Sequence, residues 1–239
     1  MLIWLIWLIW FVGAYLLGSV SFALILGRLN GINIREHGSG NVGATNLGRA
    51  LGKKWGLICF FLDMAKGLAP VLAYGFWAGL ITSGDSLGAI EMLKWLAIGV
   101  AAVVGHVLPI FLKFKGGKGV ATSAGALLGF WPVLSVPVFA AGVVWLVVTK
   151  TTAYVGLASV IAAAVLPVFV IGFAIALGYD VGEIAVCGSV TALLAAMVII
   201  RHRSNLQRLR EGTEGKVQWA QKTEPKESNQ DEPSALENE

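Results

Sequence analysis

Charge is scarce in this sequence. Asp, Glu, Lys and Arg make up 13% of 239 residues, where soluble domains carry about a quarter. With 56% hydrophobic residues and a mean hydropathy of +0.76, both a water-soluble globule and a disordered chain are excluded. Cysteine is nearly absent: Cys59 and Cys187 lie in apolar runs, too few for a disulfide scaffold and without a second Cys or His nearby to bind metal. No apolar stretch holds more than one Asp, so the acidic, metal-binding helix of the CDP-alcohol transferases is missing too. The 30 glycines follow no three-residue period, which excludes collagen.

Long apolar runs take the place of charge. A helix that crosses a bilayer needs about 20 mainly apolar residues, and stretches 3–26, 55–81, 95–112, 131–149, 151–177 and 184–200 qualify. The first carries an LIW repeat but neither the basic leader nor the cleavage site of a signal peptide, so it is expected to stay attached. A further apolar piece, 119–130, has 12 residues and would span only about 18 Å as a helix. Counting it as a short crossing gathers the basic residues on one side. That side then holds five Lys/Arg in 28–54, three in 113–118, Lys150 and seven from Arg201 onward. The other side holds Asp85, Glu91, Asp180 and Glu183, with Lys94 close by. The expectation is an all-α polytopic membrane protein of seven transmembrane helices, one of them short. Its N-terminus is outside and its C-terminus cytoplasmic, with a membrane domain over 1–215 and a polar, acidic, disordered tail over 216–239.

Three segments on the basic side are rich in Gly, amides, hydroxyls and cations. The first runs from Gly38 to Arg49 and offers Ser39, Gly40, Asn41, Thr45, Asn46 and Arg49. Arg49 can fork onto a phosphate or carboxylate beside these neutral donors. The second joins Gly105-His106 to Lys115-Gly116-Gly117-Lys118-Gly119, opening into a helix at Val120 with Thr122 and Ser123 in its first turn. Glycines let backbone N–H groups converge on an anion, and a helix N-terminus adds its dipole. The third is His202 to Glu214, in which His202 and Asn205 share a helix face. Glu214 is expected to pair with an arginine, and Arg201, Arg203, Arg208 and Arg210 to reach towards lipid headgroups. Asp63 and Lys66, three apart within a span, are read as a structural ion pair.

Spacing excludes several chemistries. A Walker loop would need Gly at Leu112 and Ser or Thr at Gly119, so nucleotide hydrolysis is disfavoured. The His-x-x-x-x-Asp pair of coenzyme-A-dependent glycerolipid acyltransferases is missing, because Val42, Phe111 and Gln207 stand five residues after the three histidines. A transporter or channel for a phosphorylated or anionic solute is the competing class. However, transporters place such sites near the midplane and often show internal repeats, and neither feature is evident here.

Taken together, the three segments, with Asp63-Met64-Ala65-Lys66-Gly67 as a lesser fourth, resemble the bacterial integral-membrane acyl-phosphate:glycerol-3-phosphate acyltransferases, the PlsY family. The resemblance covers residues 1 to about 215. It implies transfer of a fatty acyl group from acyl phosphate to the 1-hydroxyl of glycerol 3-phosphate, giving lysophosphatidate and phosphate in phospholipid biosynthesis. It implies no cofactor, no metal and no nucleic acid. The location would be the bacterial inner membrane with the active site facing the cytoplasm, and other phospholipid-synthesis enzymes are candidate partners. By analogy Ser39, Arg49 and Gly116-Gly117-Lys118 form the phosphate cradle, and Lys115 helps oppose repulsion between the two anionic substrates. His202 and Asn205 orient the hydroxyl or stabilise the oxyanion. Gly40, Asn41, Thr45, Asn46, His106, Gly119 and Thr122 complete the binding set. Whether His202 or the substrate phosphate takes the proton stays open. One departure stands out: the family commonly carries Ser where this chain has Gly156, in Gly156-Leu157-Ala158-Ser159, so Thr151, Thr152 or Ser159 would have to replace that hydroxyl.

Overall fold

The computed structural model describes residues 2–81 and 87–217, and among them every regular element is helical. Among the described residues six helical stretches are long and apolar enough to cross a membrane: Leu2–Leu29, Lys53–Trp77, Gly88–Leu112, Ser135–Thr152, Val155–Ala176 and Val181–Arg201. Asp85 and the segment 218–239, to which the sequence assigns an outer-face charge and most of a tail, lie outside the described residues. Val217, placed in that tail by the sequence, is buried, and its N–H donates to Ala153 O at 3.0 Å.

The first stretch is not the continuous helix that its composition predicts. Helix α1 (Leu2–Gly18) stops, and α2 (Phe22–Leu29) restarts with Ser21 as its cap, accepting from Leu24 N. Ser19 turns its hydroxyl back onto Tyr15 O at 2.9 Å. The break frees the Val20 carbonyl, which accepts from the buried Lys66 Nζ at 2.6 Å. A helix interruption inside an apolar layer is tolerated where side chains satisfy the freed backbone groups, and these serines and this lysine do so.

After a 3-10 turn at Ile34–Glu36 come α3 (Ala44–Leu51), α4 (Lys53–Trp77), α5 (Gly88–Val107) and α6 (Val120–Leu128). They are followed by α7 (Ser135–Thr152), α8 (Val155–Ala176), α9 (Val181–Arg201) and α10 (Arg203–Arg210). Helix α6 has nine residues rather than the twelve expected, or about 13 Å. It lies hard against α4: a Cβ at Gly67 would strike Thr122 O, and one at Gly125 would strike Met64 O. Small residues that let backbones touch are the usual seam between membrane helices, where no hydrophobic effect draws helices together. The apolar core gathers α1, α4, α5, α6, α8 and α9 around Val71, Trp95, Leu96, Ile98, Val103, Phe130, Val170 and Leu194. At the far end, Asp180 and Glu183 form a capping box on α9.

Candidate active site

Asn46 builds the first polar segment. Its side-chain N–H groups reach the carbonyls of Ile34, His37 and Asn41 at 2.9–3.2 Å, and its Oδ1 accepts from Ser39 N at 3.0 Å. The loop is thereby folded back onto α3. Asn46 borders the cavity, but these bonds occupy both ends of its amide, which makes it the loop's clasp. Arg49, in the last turn of α3, donates to Gly215 O at 2.6 Å and stands 3.5 Å from Glu214.

In the second segment, Gly117 N donates to His106 O at 3.1 Å. A Cβ at Gly117 would collide with the His106 ring, and one at Gly116 with His106 O. These two glycines therefore hold the turn against the end of α5. Arg201, expected to point at headgroups, instead donates to the carbonyls of Gly116 and Gly117 at 3.1–3.3 Å. Lys118 Nζ emerges from this turn and hydrogen-bonds Asn205 Oδ1. Gly119 takes φ +86°, a left-handed conformation suited to glycine, and caps α6.

The third segment completes the cluster. Asn205 Nδ2 donates to Glu214 Oε1 and Arg208 Nε donates to Glu214 Oε2, each at 2.8 Å. Glu214 does pair with arginine, and its side chain is only 3% exposed. Burial, ahead of the neighbouring charges, lowers Lys118 from its ordinary range to about 8. Burial first and Lys118 second push His202 down to about 4, so its imidazole is neutral near pH 7. His202 Nδ1 lies 2.8 Å from Val198 O. A carbonyl can only accept, so Nδ1 carries the proton and Nε2 is left with a lone pair.

These groups border one solvent-open cavity, lined by Ser39, Asn41, Thr45, Asn46, Arg49, Asp63, His106, Lys118, Gly119, His202, Asn205 and Glu214. Gly40, Lys115, Gly116, Gly117 and Thr122 do not line it. Lys115 is exposed, Gly40 turns the loop at φ +67°, and Thr122 is sealed in the α4–α6 seam. A second open cavity shares Phe60, Val120, Trp145 and Ser159 with the first and lies between α6, α7, α8 and α9. Apart from Ser123 and Ser159, its walls are apolar.

Comparisons with known proteins show the family to which the chain belongs. Residues 8–212 match the glycerol-3-phosphate acyltransferase family. The chain belongs to that family. It is 41% identical over 204 residues to a glycerol-3-phosphate acyltransferase of Geobacter sulfurreducens, covering 85% of this chain and 93% of the relative. It is 45% identical over 214 residues to glycerol-3-phosphate acyltransferase 2 of Bacillus cereus, covering 89% and 96%. Among solved structures it is similar to PlsY (YgiH), an integral membrane glycerol 3-phosphate acyltransferase, in its glycerol 3-phosphate form. There the TM-score is 0.72 at 36% identity, with 88% of this chain and 95% of that one covered. The lysophosphatidic acid form of the same protein aligns with a TM-score of 0.71.

Gly156, where the resemblance leads one to expect Ser, sits hard against Asn205. A Cβ there would approach Asn205 Cβ to 2.9 Å and its amide nitrogen to 3.0 Å, so this chain packs Asn205 against bare backbone. Thr151 and Thr152 turn their hydroxyls to the carbonyls of α7. Ser159 is the hydroxyl that borders both cavities, donating to Val155 O at 2.8 Å and accepting from Trp145 Nε1 at 3.2 Å. Reading the sequence misses Phe60, Trp145, Asp63 and Arg201 as site-bordering or site-bracing residues. Trp145 carries a signal in retrospect, because an indole N–H inside an apolar span needs a partner. Among the described residues, no group of three or more His, Cys, Asp or Glu is placed to hold a metal ion.

Proposed function

We propose that the protein transfers a fatty acyl group from acyl phosphate to the 1-hydroxyl of glycerol 3-phosphate, at the cytoplasmic face of a bacterial inner membrane. The observation that carries this reading is the junction of the two cavities. A chamber holding Arg49, Lys118, His202 and Asn205 adjoins an apolar one, with Phe60, Val120, Trp145 and Ser159 lining both. An acyl phosphate has that polarity: an anionic head on an alkyl tail. Lys118 and Arg49 offset the repulsion between two phosphates, and α6 directs its N-terminal first turn into the same chamber.

The leaving group is already good, so positioning and charge stabilisation do most of the catalysis. The glycerol hydroxyl oxygen bonds to the acyl carbonyl carbon, and the carbonyl oxygen takes up the charge within reach of Lys118 and the Asn205 amide. The carbon–oxygen bond to phosphate then breaks. The hydroxyl proton ends on the departing phosphate, directly or by way of His202 Nε2, which is neutral and free to accept. Glu214 holds Asn205 and both arginines in place rather than acting as a base, since each of its oxygens already accepts a hydrogen bond.

The same reading takes α6 as a seventh, short crossing, with the N-terminus outside and the C-terminus in the cytoplasm. Its support is the concentration of Lys and Arg beside the chamber. The test is an assay of purified protein with acyl phosphate and glycerol 3-phosphate, without coenzyme A or added metal. Equal amounts of lysophosphatidate and phosphate are expected. An absolute requirement for acyl-coenzyme A would overturn the donor assignment.

A further inference from the structure

We propose that Arg201 is a positioning residue for acyl transfer: its guanidinium locks the Gly116–Gly117 turn so that Lys118 meets Asn205 and His202. The proposal rests on the reading of the site given above. Arg201 closes α9, directly before His202 and four residues before Asn205. From there it donates through Nη2 to Gly116 O and Gly117 O, each at 3.1 Å, and through Nε to Gly117 O at 3.3 Å. The opposite side of the turn is held by α5, where Gly117 N donates to His106 O and both glycines pack without room for a Cβ. The turn is thus gripped from two helices, and Lys118 projects between them.

One helix end therefore sets both halves of the constellation. The residues that follow Arg201 present the imidazole and the amide, and Arg201 itself sets where the facing ammonium stands. Two carbonyls taken by one planar fork is a task for arginine; a lysine ammonium could hold one of them but not keep both in register. A cation at the end of an apolar span ordinarily reaches for the interface, whereas Arg201 turns to two backbone acceptors instead. Loss of the fork would release the turn and let Lys118 drift from Asn205. A displacement near 1 Å costs on the order of 10²-fold in rate.

Hydrogen exchange of the Gly117 and Lys118 amides, read together with steady-state kinetics in wild type, Arg201→Lys and Arg201→Gln, tests this. In wild type the Gly117 amide is expected to exchange slowly. Both variants should unfold near the wild-type temperature, exchange these amides about tenfold faster and lose about 10²-fold in kcat/KM. Coil-like exchange of the turn in wild type, unchanged exchange in a folded variant, or kcat/KM that stays at the wild-type value would overturn the proposal. If wild type transfers no acyl group but the exchange difference persists, the clamp stands and the assigned reaction falls.

Discussion

Among the described residues two buried ionic clusters stand out, and they differ in what surrounds them. In the first, Asp63 meets Lys66 at 2.8 Å with His106 3.6 Å away, and the Asp63 and Lys66 side chains are 3% and 2% exposed. Lys66 spends its remaining donor capacity on the broken backbone at Val20. In the second, the Glu214 carboxylate is equally buried, yet its partners Arg49 and Arg208 are 27% and 34% exposed, and Lys118 borders an open chamber. The ingredients are alike, a carboxylate among cations. Closed around its ammonium and reaching the chamber only through the edges of Asp63 and His106, the first cluster is a bolt between helices. Open on one side, the second presents positive charge to an incoming anion while the carboxylate holds the cations apart.

Each cluster should fail in its own way. The largest effect is expected on turnover: Lys118→Ala and Arg49→Ala should each lower kcat/KM by about 10²–10³-fold, measured as phosphate release, with little change in melting temperature. Lys66→Met should do the reverse. It leaves the Asp63 carboxylate buried without its ammonium, and breaking such a pair costs about 3–5 kcal/mol, readable as a fall in thermal stability. Activity per folded molecule should persist. If Lys66→Met is stable but inactive, the closed cluster belongs to the chemistry and the contrast collapses.

The pH dependence sharpens the same contrast. In the ligand-free protein Lys118 loses its proton near pH 8, because burial disfavours the ammonium. A bound phosphate favours the ammonium, so glycerol 3-phosphate affinity should fall by up to about tenfold per unit above pH 8. Stability of the ligand-free protein should move the opposite way. Between pH 8 and the ordinary lysine range the unfolded chain binds the extra proton, so folding is favoured as pH rises. His202, pushed down to about 4, should contribute no break near pH 6.5. The smallest effect is expected from removing residues 222–239: turnover should stay within about twofold, since this stretch is polar and acidic in sequence and lies beyond the family match at 8–212.

Much of this was readable from the chain. The apolar runs, the three polar segments, the Asp63–Lys66 pair and the pairing of Glu214 with arginine all follow from composition and helical spacing. The first span stands as one stretch long enough to cross, but hydropathy averages over Ser19 and Ser21 and hides the break between α1 and α2, whose freed Val20 carbonyl is met by Lys66, 46 residues away. The contacts of Arg201 are hidden for a similar reason. A cation at a span end looks interfacial unless a turn 84 residues distant is known to offer its carbonyls. Gly116 and Gly117 look like an anion cradle by type, and only tertiary packing against His106 reveals what the pair is braced upon. Local rules describe what a residue can do; distant partners decide which of those things it does.

Titration of glycerol 3-phosphate into the purified protein tests most directly whether the open cluster is a single anion site. Wild type, Arg49→Ala, Lys118→Ala and the double variant form one cycle. One binding site is expected in wild type, with each single variant weakened about tenfold or more and the double weaker by clearly less than the combined losses, as for groups in one network. Strictly additive losses, or an affinity indifferent to either residue, would contradict the account.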